Sequence, residues 1–215
     1  MDTSVNFNKV VAKTVGVKRA GYALVTKNTR DELTHGDVKH LSRVRKVSIT
    51  PSYAENELDS NDAVEAQGNE IMGYTVSIDA TGIDAETEAE IYGHKLDENG
   101  GMIEKDGDEP PELALLLELA MSGDNSKFVV LFCGSVKHPT EEAESKTRSG
   151  FTYSNPTLEF SFGKALNGLL KYSLRTDSPS YKSEIGAAWF DSVTQPGTAS
   201  KLSTASSTPM KVTKA

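Results

Sequence analysis

The sequence has a single cysteine, Cys133, so no disulfide can form within the chain. That fits folding in a reducing cytoplasm. The first residues, MDTSVNFNKVV, lack the basic flank and apolar core of a signal peptide. No apolar run approaches the roughly 20 residues that span a bilayer, so membrane insertion is not expected. Aromatic residues make up only 7%, and Trp189 is the single tryptophan. A carbohydrate-binding face built on exposed rings therefore has little to draw on. Catalytic motifs are also missing: there is no GxSxG, P-loop or GxGxxG. The four histidines, His35, His40, His94 and His138, are scattered, with no HExxH and no paired cysteines. No metal, cofactor or enzymatic activity is expected. The acidic loop from Asp97 to Pro111 invites a calcium reading. It fails because Met102 stands where such a loop needs glycine. No basic patch is interleaved with aromatics, which argues against sequence-specific nucleic-acid binding.

What is present is charge, unevenly spread. The net charge is −8. Residues 1–50 carry ten Lys/Arg and four Asp/Glu, and residues 51–125 carry two and twenty. Residues 126–215 carry eleven and seven. An acidic block thus lies between two basic ones. It reads either as solvated surface or as complementary faces for head-to-tail self-association.

In chain order, residues 1–13 read as an arm and AGYALVTKN as a strand. Another strand covers 43–50, with Val47 and Ile49 on one face and Lys46, Ser48 and Thr50 on the other, and Pro51 ends it. Residues 51–70 read as a long acidic loop or arm. Glu55, Glu57, Asp59 and Asp62 surround a few apolar anchors, Tyr53, Leu58 and Val64. From Met72 to Ala80 the period is two: Tyr74, Val76 and Ile78 alternate with Thr75, Ser77 and Asp79. A helix over about 84–96 follows, capped by Asp84, with a core stripe of Ala85, Ala89, Tyr92 and Leu96. Gly93 would lie inside it, and Gly100 and Gly101 would end it. ELALLLELAM has the composition of a helix but sits where a β-hairpin with KFVVLFCGSV would place a strand. Two more strands are expected between Thr147 and Phe162, around a turn at 154–156. Leu158, Phe160 and Phe162 there alternate with Thr157, Glu159 and Ser161. Lys171–Arg175 offers a short strand, and GAAWFDSV a last apolar piece to dock on the core. After Pro196 the chain is Ser/Thr-rich, a flexible tail by composition.

Several segments carry a resemblance. GHKLDENGG followed by PPELALL, together with AGYALVTKN, LDSNDAVEA, NPTLEFSF and AAWFDSV, resembles the major tail tube proteins of long-tailed phages with flexible, non-contractile tails. The matches run over roughly 14–195 in common order. The resemblance favours a strand for ELALLLELAM and self-association for the charge blocks. The expected fold is then mainly β with one helix (α+β): a β-sandwich or curved sheet of the tail tube type, with a flanking helix and long loops. The implied function is structural. Six copies form a ring, rings stack into a hollow tube with a hydrophilic, acidic lumen, and DNA passes through during infection. Implied partners are other copies of the chain, a tape-measure protein, and the tail terminator and tail tip or distal tail proteins. Double-stranded DNA would pass transiently. Assembly would take place in the host cytoplasm, and the product would be the virion tail. Lumen-facing candidates are Ser48, Thr50, Thr75, Ser77, Asp79, Thr157, Glu159 and Ser161. The 51–70 segment is the candidate for contact with a neighbouring subunit or ring. The alternatives are a monomeric β-sandwich module binding carbohydrate or protein, in which the polar faces simply meet solvent, and an unrecognised hydrolase.

Overall fold

A computed structural model describes residues 12–41, 43–60, 63–138 and 157–197; for 55–60 and 63–69 it describes the backbone alone. Most of the N-terminal arm, the strand expected from Thr147, the turn at 154–156 and nearly all of the C-terminal tail lie outside these residues.

The chain is mainly β. Strands β1 (Thr14–Asn28), β2 (Leu33–His35), β3 (Lys39–His40), β4 (Val44–Ser60) and β5 (Ala63–Ala80) come first. Helix α1 (Ala85–Tyr92) and a small two-stranded sheet, β6 (Lys95–Leu96) and β7 (Met102–Ile103), follow. Then come β8 (Leu113–Met121), β9 (Ser126–Val136), β10 (Thr157–Gly163), β11 (Lys171–Arg175) and helix α2 (Ser183–Ala187). The large sheet is antiparallel, in the order β2-β1-β8-β9-β10-β5-β4, with β3 on β1 and β11 on β9. Among the described residues it does not close into a barrel.

Strand β8 resolves the ambiguity of ELALLLELAM. It is hydrogen-bonded on one edge to β1 and on the other to β9, and both its faces are buried. Leu113, Leu115 and Leu117 enter one core, shared with Tyr22, Val76, Ile78, Ile91, Leu131 and Phe160. Ala114 and Leu116 enter a second core behind the sheet, with Phe132 and Trp189. A strand covered on both sides loses its polar alternation and reads as a continuous apolar run, which local propensity mistakes for helix.

The helix is shorter than its sequence pattern. Asp84 caps it, accepting a 2.8 Å hydrogen bond from the Thr87 amide. Gly93 ends it, in the left-handed region at φ 75°. The His94 amide donates to the Ala89 carbonyl at 2.8 Å, closing the last turn. A Cβ on Gly93 would stand 2.6 Å from the Glu109 carbonyl oxygen, so both conformation and space demand glycine. The expected stripe is accordingly half right. Ala89 and Tyr92 are buried, with Ile91 between them. Ala85 is exposed, and Leu96 has left the helix for β6, where it is 37% exposed. The glycine pair at 100–101 belongs to the β6–β7 turn instead, where Asp97 Oδ1 accepts from the amides of Asn99 (2.9 Å) and Gly101 (2.6 Å).

The loop expected over 51–70 is the second correction. Residues 51–60 and 63–70 are paired strands of one hairpin, from Val44↔Ala80 out to Ser60↔Ala63. The segment lacks the apolar alternation of a sheet strand, so its strands do not show in the sequence pattern. Backbone hydrogen bonds between two strands hold it instead.

Candidate functional site

Three neighbouring strands, β4, β5 and β10, bring the eight sequence-derived polar candidates onto one face. Ser48 is opposite Ser77, which is opposite Glu159. Thr50 is opposite Thr75, Thr75 opposite Ser161, and Ser161 opposite Ser135 of β9. Asp79 lies between Lys46 and Thr157, and accepts a 3.2 Å hydrogen bond from the Thr157 hydroxyl. Facing residues of antiparallel strands share a side of the sheet, so these rows form one continuous hydroxyl-rich wall. On the reverse side, Val76, Ile78, Leu158, Phe160 and Phe162 are buried in the first core. The wall is thus fixed from behind by packing. A one-residue slip would drive Phe160 outward and Glu159 inward.

Sequence reasoning missed three members of this wall as site residues: Lys46, Ser135 and Lys137. Lys46 shares the alternation of Ser48 and Thr50, so the signal was present. Ser135 and Lys137 are legible only once β9 is paired with β10. The lysines change the electrostatics. Lys137 Nζ is 3.4 Å from Glu159 Oε2, and Lys46 is the register partner of Asp79. Each carboxylate expected to make this surface acidic has a cation beside it.

Beyond the reach of β10, which pairs with β5 only at Gly73–Asp79, β4 and β5 continue as a two-stranded ribbon. From Tyr53 to Ser60 it projects about 25 Å at strand rise. The backbones of Glu55, Glu57, Leu58, Asp59 and Val64 lie in this ribbon, and Asp62 falls outside the described residues. At the ribbon's root the register shifts: Ser52 faces Gly73 but Tyr53 faces Ile71, leaving Met72 as the extra residue. Tyr53, Ile71 and Met72 are 53%, 40% and 56% exposed. Three large apolar side chains are thus exposed where the ribbon leaves the body of the sheet.

Two further charged features flank the sheet. Glu118 is nearly buried on β8. It accepts from Arg19 Nε at 2.7 Å and from Ser126 Oγ at 3.0 Å, with Lys18 Nζ 3.6 Å away. Burial pushes its carboxyl up, but these hydrogen bonds and charges outweigh burial and hold it below the usual glutamate range. Lys18 and Arg19 also line a shallow cleft with His40 and Arg43, which is basic overall.

His94 and His138, 44 positions apart and given no role by their spacing, lie side by side with Glu104. No spacing rule covers this, because the three residues stand at the exits of a helix, a short strand and a long strand. The chain matches no protein-family model and no curated protein, so what these surfaces do has to be argued from their own chemistry.

Proposed function

We propose that this protein is a structural subunit of a phage tail tube, forming hexameric rings that stack into a hollow conduit for DNA. The observation that carries the reading is the wall on β4, β5 and β10: eight hydroxyl and carboxylate side chains in register, backed by a packed core. A tube needs an inner surface that stays wet and does not grip the duplex. Hydroxyls supply the wetting, and the absence of net positive charge avoids the counterion release by which basic surfaces hold DNA. Since Lys46 and Lys137 offset Asp79 and Glu159, this patch is hydrophilic and close to neutral. The acidic lumen that the resemblance implies is not supplied by this patch.

Two more features support assembly. Among the described residues strand β4 pairs with β5 alone, which leaves it a long unpaired edge. Such edges invite pairing with another strand, and joining edges around a ring removes them. The ribbon, acidic in sequence and apolar at its root, is suited to reach a neighbouring subunit or ring, and the cleft of Lys18, Arg19, His40 and Arg43 offers a basic surface to receive it. A tape-measure protein inside the tube, and terminator and tip proteins at its ends, are the partners the family resemblance implies. Among the described residues the rival carbohydrate-binding module finds no support in the aromatics: Trp189 is fully buried, and Tyr53 is the aromatic among the exposed large apolar side chains.

Negative-stain microscopy and light scattering of the purified chain test the proposal. Rings or tubes are the expected result. A 23.2 kDa monomer at every concentration, alone or seeded with tail tips, would overturn it.

A further inference from the structure

His94 follows the helix cap, Glu104 follows β7, and His138 follows β9. One ring nitrogen of each histidine and a carboxylate oxygen of Glu104 all lie within 4.8 Å of one another. The His94 side chain is only 6% exposed. Its Nδ1 is buried without a hydrogen-bond partner. The nearest carboxylate to that nitrogen, Asp108 Oδ2, is 3.6 Å away, too far for a hydrogen bond. A buried imidazole nitrogen left unpaired among the described residues is costly unless something else satisfies it.

We propose that His94, Glu104 and His138 bind a divalent late transition cation, with zinc the best fit. Two imidazoles and one carboxylate are a zinc donor set and leave one position for water. Calcium and magnesium prefer oxygen donors throughout, and no thiolate is present to select a softer ion. Donors at about 2.0–2.2 Å in a tetrahedron stand about 3.3–3.6 Å apart. The observed spacing therefore has to close by roughly 1 Å, which rotation of Glu104 and His138 can supply, since both are exposed. Their exposure also gives the ion a way in.

The site would tie together three parts of the chain. His94 leaves α1, Glu104 sits beyond the β6–β7 turn, and His138 is the last described residue after β9. A bound ion would pin the excursion between α1 and β8 to the end of β9. The competing arrangement is plain ring packing: Tyr92, His94 and His138 stand with centroids 5.7–6.0 Å apart.

The test uses the full-length, untagged chain stripped with chelator. Zinc is titrated by calorimetry and Co²⁺ by visible absorption. One equivalent should bind with micromolar or tighter affinity, cobalt should show the intense bands of a four-coordinate site, and zinc should raise the thermal midpoint. Glu104→Gln and His138→Ala alter exposed side chains, so folding should survive, with circular dichroism as the check. Each should weaken zinc binding by at least about tenfold, the loss that even an outer partner of a metal ligand can cause. No saturable binding below about 1 mM, a dissociation constant worth only about 4 kcal/mol, would overturn the site. So would undiminished binding in either variant, which would leave the rings as a packed cluster.

Discussion

Trp189 is the largest fully buried side chain, yet its indole Nε1 finds no hydrogen-bond partner. It packs on Phe128 and Tyr172, with ring centroids 5.3 and 6.1 Å away. Its contribution is therefore volume and ring contact rather than a hydrogen bond. Trp189→Phe should cost less than about 1.5 kcal/mol, because most of the volume stays and an unsatisfied donor leaves. Trp189→Ala should cost about 3–5 kcal/mol. Equal losses for the two in urea unfolding would mean that the indole N–H matters. The carboxylates set the acid limit. Glu118, Asp84 and Glu90 are all held below their ordinary values in the folded chain. For Asp84 the main cause is the Thr87 amide. For Glu90, burial pushes upward, but hydrogen bonds from Lys39 and Tyr22 prevail. A carboxyl depressed by folding stabilises the fold above its unfolded pKa and loses that contribution as pH falls through the folded one. His35, whose pKa is lowered chiefly by burial, should begin to withdraw stability as pH falls below its ordinary 6.5, and the carboxylates should add a further decline below about pH 4.5, the ordinary glutamate value. Glu118→Gln should make that decline shallower. An identical acid slope in wild type and variant would show that the Arg19–Glu118–Ser126 bridge across three strands contributes nothing.

Helix α1 is held by Ala89, Ile91 and Tyr92 against the sheet and by the Tyr22 hydroxyl donating to Glu90 at 2.6 Å. Ile91→Ala should cost about 2–5 kcal/mol, whereas Leu96→Ala, at an exposed site, should stay within about 0.5 kcal/mol. Thermal midpoints that fall equally would restore the longer helix. That helix was misread because His94 and Lys95 suit a helix C-terminus electrostatically as well as they suit a turn and a short strand. Only the left-handed Gly93, pressed against Glu109, decides between them. Where apolar and polar residues alternate strictly, as at 74–79 and 157–162, the face is legible in the sequence, but the partner strand is not. Where a strand is buried on two sides, as β8, the alternation carries no information, and in the acidic ribbon at 53–70 the strands show only in the backbone pairing. The wall on β4, β5 and β10 is readable residue by residue, but the place of its lysines is not, because their nearness to Asp79 and Glu159 comes from register. The histidine–glutamate cluster was invisible, since its members meet only through tertiary packing. The ribbon carries the next prediction. Replacing residues 55–69 by Asn-Gly keeps the Ala54↔Glu70 pair and supplies a tight turn. Since two isolated strands add little stability, the shortened chain should melt within a few degrees of wild type. It should also fail to polymerise. Normal tubes from it would remove the ribbon from assembly.

Among the described residues the sheet has one side committed to its core and, at one end, another side that no residue packs against. Proposed as a lumen, that free side makes a charge-dependent claim. Asp79→Lys with Glu159→Lys would turn a wall where two carboxylates meet two lysines into one with four lysines per subunit, repeated around each ring. Neither side chain touches the core, so rings should still form. The added lysines would bind phosphate through counterion release and slow the passage of DNA. The slowing should be strongest near 0.01 M salt, where the Debye length is about 30 Å, and should fade at 0.15 M, where it is about 8 Å. The opposite pair, Lys46→Glu with Lys137→Glu, should leave passage as fast as wild type or faster, which separates a charge effect from a merely damaged wall. Accessibility supplies an independent arm. Ser77→Cys or Ser161→Cys should react with a bulky maleimide in monomers and be protected in tubes. Background labelling should be slight, because Cys133 is buried and its thiol is pushed up to about 12, chiefly by that burial. If the lysine-substituted particles deliver DNA at the wild-type rate in low salt, or if the new cysteines label equally in tubes and monomers, this face lies on the outside and the duplex never meets it.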